Sequence, residues 1–276
     1  MDSRELPGPS HELHRTGTEL HYWLHGPADG PVVTLTHGLS LDRHAFDAQV
    51  PALVDAGYRV LTWDIRGHGR SQPMGPSLSI GEVVDDLLAV LDEAQVEQTV
   101  LVGQSFGGMV IQEVAAQAPD RITALVVIGA PALGDQPGAV MRVLQRLRIQ
   151  MIKLWPDGVL RKVFAAMVTK EPDVRSYVAS ATRQLPKSAF VAVSAAAMEG
   201  HLREAAAPTG DIPVLLVHGE AEERPVAQAM RRWGERHPSA TLHTVEGGGH
   251  LINQENPERC NQLLLDFLAK QTDPDD

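Results

Sequence analysis

The stretch LVGQSFGGMV, Leu101 to Val110, runs from a short apolar segment through a glycine-flanked serine into a segment of helical period. Gly103-Gln104-Ser105-Phe106-Gly107 is a G-x-S-x-G pentapeptide, and its surroundings predict a strand, a sharp turn and a helix in succession. In such a turn the glycines relieve crowding and the serine hydroxyl stands above the sheet edge. The helix that follows offers its amino-terminal N–H groups and dipole to a developing oxyanion, the amide of Phe106 first. Ser105 is therefore read as a candidate nucleophile and not as an ordinary turn serine.

Outward from this turn, short apolar runs alternate with segments of helical period. ELHYWLHG and PVVTLTHG read as strands, AFDAQVPALVDAG as a helix closed by Gly57, and YRVLTWD as a strand. A capping box of Ser79 and Glu82 opens the next helix, which carries Val83, Val84, Leu87, Leu88 and Leu91 on one side. TVLVG, FGGMVIQEVAAQA and ITALVVIGA then read as strand, helix and strand. Apolar residues at consecutive positions suit strands covered by helices on both faces, so an α/β fold with a mainly parallel sheet is expected.

The alternation stops from about Leu133 to Pro208, where helical stretches are broken at Pro156, Pro172 and Pro186. It resumes with IPVLLVHG, a helix from about Pro225 to Arg236, the strand ATLHTV and a last helix opened by Asn256 and Pro257. The expected organisation is a core of residues 1–132, a helical lid of residues 133–208 and a core completed by residues 209–276. Such a lid would cover the carboxyl ends of the strands, where ligands bind in open α/β sheets.

Composition narrows the partners. A chain of 276 residues with net charge −11 offers no general attraction for nucleic acid or an anionic membrane, and a small-molecule partner is expected. No run approaches the roughly 18 apolar residues of a membrane span. The stretch MDSRELPGPSHELHR lacks the basic start and apolar segment of a secretory signal, and the single cysteine, Cys260, excludes an intrachain disulfide. A cytoplasmic protein is expected.

A serine hydroxyl is a poor nucleophile until a base takes its proton, so a histidine and an orienting carboxylate must be found. Of the twelve histidines, His250 stands out in EGGGHLINQENP, a glycine-rich loop after the last strand, on the same sheet edge as Ser105. The acid is sought in the loop after IPVLLVHG, where EAEERP supplies Glu220, Glu222 and Glu223 and no aspartate. A second oxyanion donor fits the amide of Leu39 in THGLS, where Gly38 frees the backbone. The turn DIRGHGRS, Asp64 to Ser71, is read as structural. His11, His14, His21 and His25 show no metal-site spacing, and neither a metal nor a cofactor is implied.

Together HGLS, DIRGHGRS, GQSFGG and GGGHLINQENP resemble the α/β-hydrolase superfamily in its lid-bearing esterase and lactonase type, over almost the whole chain. Tyr58 to Ala130 is similar to 3-oxoadipate enol-lactonases and cofactor-free haloperoxidase or perhydrolase relatives, which use a serine, acid and histidine triad without a metal. The resemblance implies an α/β-hydrolase fold with Ser105 as nucleophile, His250 as base and Leu39 and Phe106 as oxyanion amides. Where that family has G-x-x-D, this chain has Gly219-Glu220-Ala221-Glu222, which makes Glu222 the acid. Pro225 arrives one residue early relative to that pattern, and Asp135 is the alternative acid.

The lid stretch MRVLQRLRIQMIKLWPDGVLRK is a basic island, with Arg142, Arg146, Arg148, Lys153, Arg161 and Lys162 against Asp157. Val143, Leu147, Met151 and Leu154 form an apolar stripe on it, as in an amphipathic helix with its charged face in water. Its functional reading is attraction of a carboxylate-bearing or carrier-bound acyl substrate. Segments such as VAVSAAAMEG point to an apolar, adaptable pocket wall. The expected activity is hydrolysis of a carboxylic ester, lactone or thioester. Perhydrolase, carbon–carbon hydrolase or lyase chemistry on the same fold is one alternative, and a low-turnover binding or scaffolding role is another.

Overall fold

The computed structural model describes residues 8–134, 143, 147, 150–200 and 212–272. A hairpin of β1 (Ser10–Arg15) and β2 (Thr18–His25) leads into β3 (Val32–Thr36), α1 (Gln49–Asp55) and β4 (Arg59–Trp63). Then follow α2 (Ile80–Glu93), β5 (Thr99–Gln104), α3 (Phe106–Gln117) and β6 (Ile122–Ile128). After helical residues 150–154, the described chain continues with α4 (Asp157–Val168), α5 (Pro172–Gln184) and α6 (Lys187–Gly200). The chain returns to the sheet with β7 (Val214–Gly219), α7 (Arg224–Arg236), β8 (Ala240–Val245), α8 (Ile252–Glu255) and α9 (Pro257–Thr272).

The strands form one sheet in the order β1-β2-β4-β3-β5-β6-β7-β8. The β1–β2 and β2–β4 pairings are antiparallel and the other five are parallel. The reason lies in the side chains of the central strands. In β5, Leu101 points into one apolar layer, shared with Val84 and Leu87 of α2 and Met109 and Val110 of α3, and Val100 and Val102 point into the other. That second layer holds Val50 and Leu53 of α1 and Leu263, Leu264 and Leu268 of α9. Both faces of the strand are thus dry, which favours parallel pairing under helical cover.

Two local features differ from, or add to, the sequence reading. SHELHR forms the edge strand β1, for which its polar pattern gives no signal; its pairing with β2 makes it a strand. The helix expected over AFDAQVPALVDAG is divided into a 3-10 turn, Arg43–Phe46, and α1. The Asp42 carboxylate accepts the His44 N–H at 3.1 Å and starts the turn earlier than the apolar pattern shows. The Ser79 cap forms, its Oγ accepting the Glu82 N–H at 3.2 Å.

Between β6 and β7 no strand occurs among the described residues, and Phe164, Met167, Val168 and Ala197 face the carboxyl ends of the sheet strands. Val143, Leu147, Met151 and Leu154 are exposed, so the apolar stripe faces outward. Arg142, Arg146 and Arg148 lie outside the described residues. Among the described residues no helix is long and apolar enough to cross a membrane.

Candidate active site

Loops after β3, β5, β7 and β8 meet at the carboxyl edge of the sheet. At the end of β5, Ser105 takes φ 52° and ψ −116°, a conformation that costs a residue with a Cβ on the order of 1–3 kcal/mol. The turn closes this tightly because two neighbours lack a side chain. A Cβ on Gly103 would run into the Gly107 carbonyl, and one on Gly107 into the Thr36 carbonyl. The Ser105 N–H donates to Ile128 O at 2.8 Å, which ties the strained residue to β6.

The Ser105 Oγ lies 2.9 Å from His250 Nε2, and His250 Nδ1 lies 3.0 Å from each carboxylate oxygen of Glu222. A carboxylate only accepts, so the Nδ1 proton points at Glu222. That leaves the Nε2 lone pair of the neutral ring to accept the serine hydroxyl. The Glu222 side chain is wholly buried, and its Oε1 also accepts the Glu223 N–H at 2.8 Å. The acid loop is held against the histidine loop by Ala221 N–H to Gly248 O, 2.9 Å, and Glu220 N–H to Val245 O, 2.8 Å. Burial lowers the His250 pKa, but the charge and hydrogen bond of Glu222, with the charges of Glu223 and Glu255, outweigh it and raise the value above 6.5.

Of the three candidate glutamates only Glu222 is buried; Glu220 and Glu223 are exposed. Asp135 lies outside the described residues. Leu39 and Phe106 line the same cavity as Ser105 and His250. Phe106 opens α3, where the first N–H groups have no intrahelical acceptor. The Leu39 loop is fixed from below. Ser40 N–H donates to His68 Nε2 at 3.1 Å, and the His68 Nδ1–H donates to Arg66 O at 3.0 Å. Burial pushes His68 down to about 4, so its ring stays neutral and Nε2 stays an acceptor. DIRGHGRS is thus a structural turn, its Asp64 carboxylate also accepting the Arg43 and Arg70 N–H groups at 2.7 and 2.8 Å.

The cavity above Ser105 measures about 210 Å³ and is walled by Leu41, Met109, Phe164, Met167, Val168 and Leu251. Among the described lining residues Glu223 is, apart from His250, the one charged side chain, and none is a lysine or arginine.

Three contributors escaped the sequence reading. Gln104, the unconstrained second position of the pentapeptide, donates from Nε2 to His250 O at 3.1 Å. Glu255, in the QENP segment, accepts the Gly249 N–H beside His250 and the Thr169 hydroxyl at the end of α4. Glu223 was weighed only as an alternative acid, yet it lines the cavity. A glutamate six residues beyond the glycine it binds is a weak local signal, and the contact with α4 has none.

Residues 32–263 match the profile of the alpha/beta hydrolase family. The chain is similar to Epoxide hydrolase B of Mycobacterium tuberculosis, at 38% identity with 93% of this chain and 97% of that one covered. It is similar to a non-heme chloroperoxidase of Kitasatospora aureofaciens at 30% identity, covering 93% and 98% of the two chains. Among solved structures it resembles a hydrolase from Pseudomonas aeruginosa, with TM-score 0.81, 28% identity and 95% and 98% of the two chains covered.

Proposed function

The chain belongs to the alpha/beta hydrolase family, and from that premise we propose that it hydrolyses uncharged carboxylic esters, lactones or thioesters through an acyl-enzyme on Ser105. The observation that carries this reading is the continuous path from the Ser105 hydroxyl through both nitrogens of His250 to the buried Glu222 carboxylate. His250 takes the hydroxyl proton as Ser105 Oγ bonds to the carbonyl carbon, and the amides of Leu39 and Phe106 receive the oxyanion. His250 then protonates the departing alkoxide or thiolate. Water, deprotonated by the same ring, cleaves the acyl-enzyme and restores Ser105. The Glu222 carboxylate holds the imidazolium.

Epoxide chemistry, which the similarity to an epoxide hydrolase brings to mind, fits a serine poorly. Attack by Oγ on an epoxide carbon gives an ether, which has no carbonyl for water to enter. A cavity of about 210 Å³ suits a small acyl group. Glu223 at its mouth and the absence of a cation among the described lining residues favour an uncharged one. The helices between β6 and β7 serve as the lid that keeps this space dry. The Glu222–His250 contact supports turnover over a binding-only role.

The test is a panel of esters, lactones and thioesters assayed with Ser105→Ala alongside, together with labelling by a fluorophosphonate. Turnover that Ser105→Ala abolishes, and a label on Ser105, are expected. A folded protein that neither takes the label nor hydrolyses any member of the panel overturns the reading.

A further inference from the structure

The tripeptide Glu-Leu-His occurs twice within ten residues, as Glu12-Leu13-His14 and Glu19-Leu20-His21. Along a strand, alternate residues share a face, so each glutamate stands beside its own histidine while the leucines point the other way. Leu20 is buried on that other side and Leu13 partly so. The hairpin then turns at Gly17 in a register that sets Glu12 opposite His21 and His14 opposite Glu19. Two carboxylates and two imidazoles come together as an approximately twofold square on one face of the ribbon. The four histidines that sequence spacing groups here separate in the fold: His11 stacks on Tyr22 at 4.9 Å and His25 pairs with Thr62 at 3.3 Å.

Within the square, His14 Nδ1 is 3.2 Å from Glu19 Oε2, His21 Nε2 is 3.4 Å from Glu19 Oε1 and His21 Nδ1 is 3.8 Å from Glu12 Oε1. Glu12, Glu19 and His21 each bring one donor atom within 4.8 Å of the other two. Donors bound tetrahedrally at 2.0–2.1 Å stand about 3.4 Å apart, so small side-chain rotations close the distance. His21 is 5% exposed, and its Nδ1 is buried with no hydrogen-bond partner. Glu12 is half exposed and leaves a way in from solvent. Among the described residues no lysine or arginine pairs with either glutamate, so the two negative charges are answered by imidazoles alone.

We propose that this hairpin face binds one divalent transition-metal ion of the zinc class, held by Glu12, Glu19 and His21 with His14 as a fourth ligand. Carboxylate oxygen with imidazole nitrogen is a donor set suited to Zn²⁺. The site is remote from Ser105: β4 and β3 lie between β2 and β5, a lateral separation of about 14 Å at the usual strand spacing. Its role is to pin the register of an edge hairpin.

The test titrates chelator-treated full-length protein with Zn²⁺ alone by calorimetry and follows thermal unfolding in parallel. One saturable equivalent and a raised Tm are expected. The double variant E12Q/E19Q changes two solvent-accessible side chains, so it is expected to fold, as circular dichroism will show, while losing at least tenfold in affinity and the Tm shift. Ser105→Ala is expected to bind Zn²⁺ as the native chain does, which separates this site from the reaction centre. Absence of a saturable equivalent, meaning carboxylate–imidazole pairs only, overturns the proposal. So does a folded double variant that binds as tightly as the native chain.

Discussion

His250 is placed between a hydroxyl and a buried carboxylate, and its pKa is raised above 6.5. The base must be neutral to take a proton, so raising its pKa moves the loss of activity to higher pH on the acid side. The kcat/KM profile for a neutral ester is therefore expected to fall on acidification with an apparent pKa above 6.5, and Glu222→Gln is expected to move that limb downward. The same substitution is expected to lower kcat by about 10³–10⁴-fold, because an amide at this place no longer holds the imidazolium or the tautomer. An acid limb at or below 6.5 in the native enzyme, or a Glu222→Gln variant within tenfold of it, would sink the assignment of this carboxylate. Ser105 and His250 were legible in the sequence because each sits in a segment whose turn or glycines have few other uses. Which glutamate orients the ring was not legible from the residues alone. Spacing places three in one loop, and only the folded loop, bonded to Gly248 and Val245, decides which side chain turns inward.

At the scale of elements, local chemistry was readable wherever the determinant lies within a few residues. The cap of α2 is such a case: Ser79 accepts the Glu82 N–H. Ser79→Ala is expected to cost about 1 kcal/mol and lower Tm by about 2–4 °C, with kcat unchanged, as calorimetry and assay together will show. A change in kcat with little change in Tm would contradict a purely local role. The readings that failed depend on distant partners. β1 is a strand because β2 lies beside it, and α1 begins where it does while Gln49 donates to Asn253 O at 2.9 Å and Asn261 Oδ1 at 2.8 Å, more than 200 residues away. The Glu–His square on the hairpin was hidden for the same reason, since spacing along the chain groups the histidines and only the register brings in the carboxylates.

For the molecule as a whole, side-chain hydrogen bonds tie the helices between β6 and β7 to the sheet edge. Tyr177 of α5 donates to Asp42 Oδ1 at 2.8 Å, just after the Leu39 loop, and Thr169 donates to Glu255 at 2.5 Å, which also receives the Gly249 N–H. Tyr177→Phe is expected to raise KM several-fold while changing kcat less, in steady-state kinetics with a neutral ester, because it loosens the wall of the cavity and leaves the reacting groups in place. A fall in kcat with KM unchanged would count against that division. The chain's net charge and the carboxylate of Glu223 bear on substrate choice. With an uncharged ester, kcat/KM is expected to vary less than twofold between low salt and 0.5 M, whereas recruitment of anions by the basic stretch around Arg161 would show as a steep fall for carboxylate-bearing esters.

The order in which the reacting groups leave the ribosome follows from where they sit. Ser105 and His250 are 145 residues apart in sequence, an interval of about 7 to 30 s at common rates of synthesis. During that interval a growing chain carries the strained serine turn without its base. When Ser105 is added, β1 to β4 on one side of β5 are already made, while β6, β7 and β8 on its other side are still to come. On the proposed reading the serine turn therefore waits for its base throughout this interval, and the Gln49–Asn253 contact, which joins α1 to the segment just after His250, forms later still.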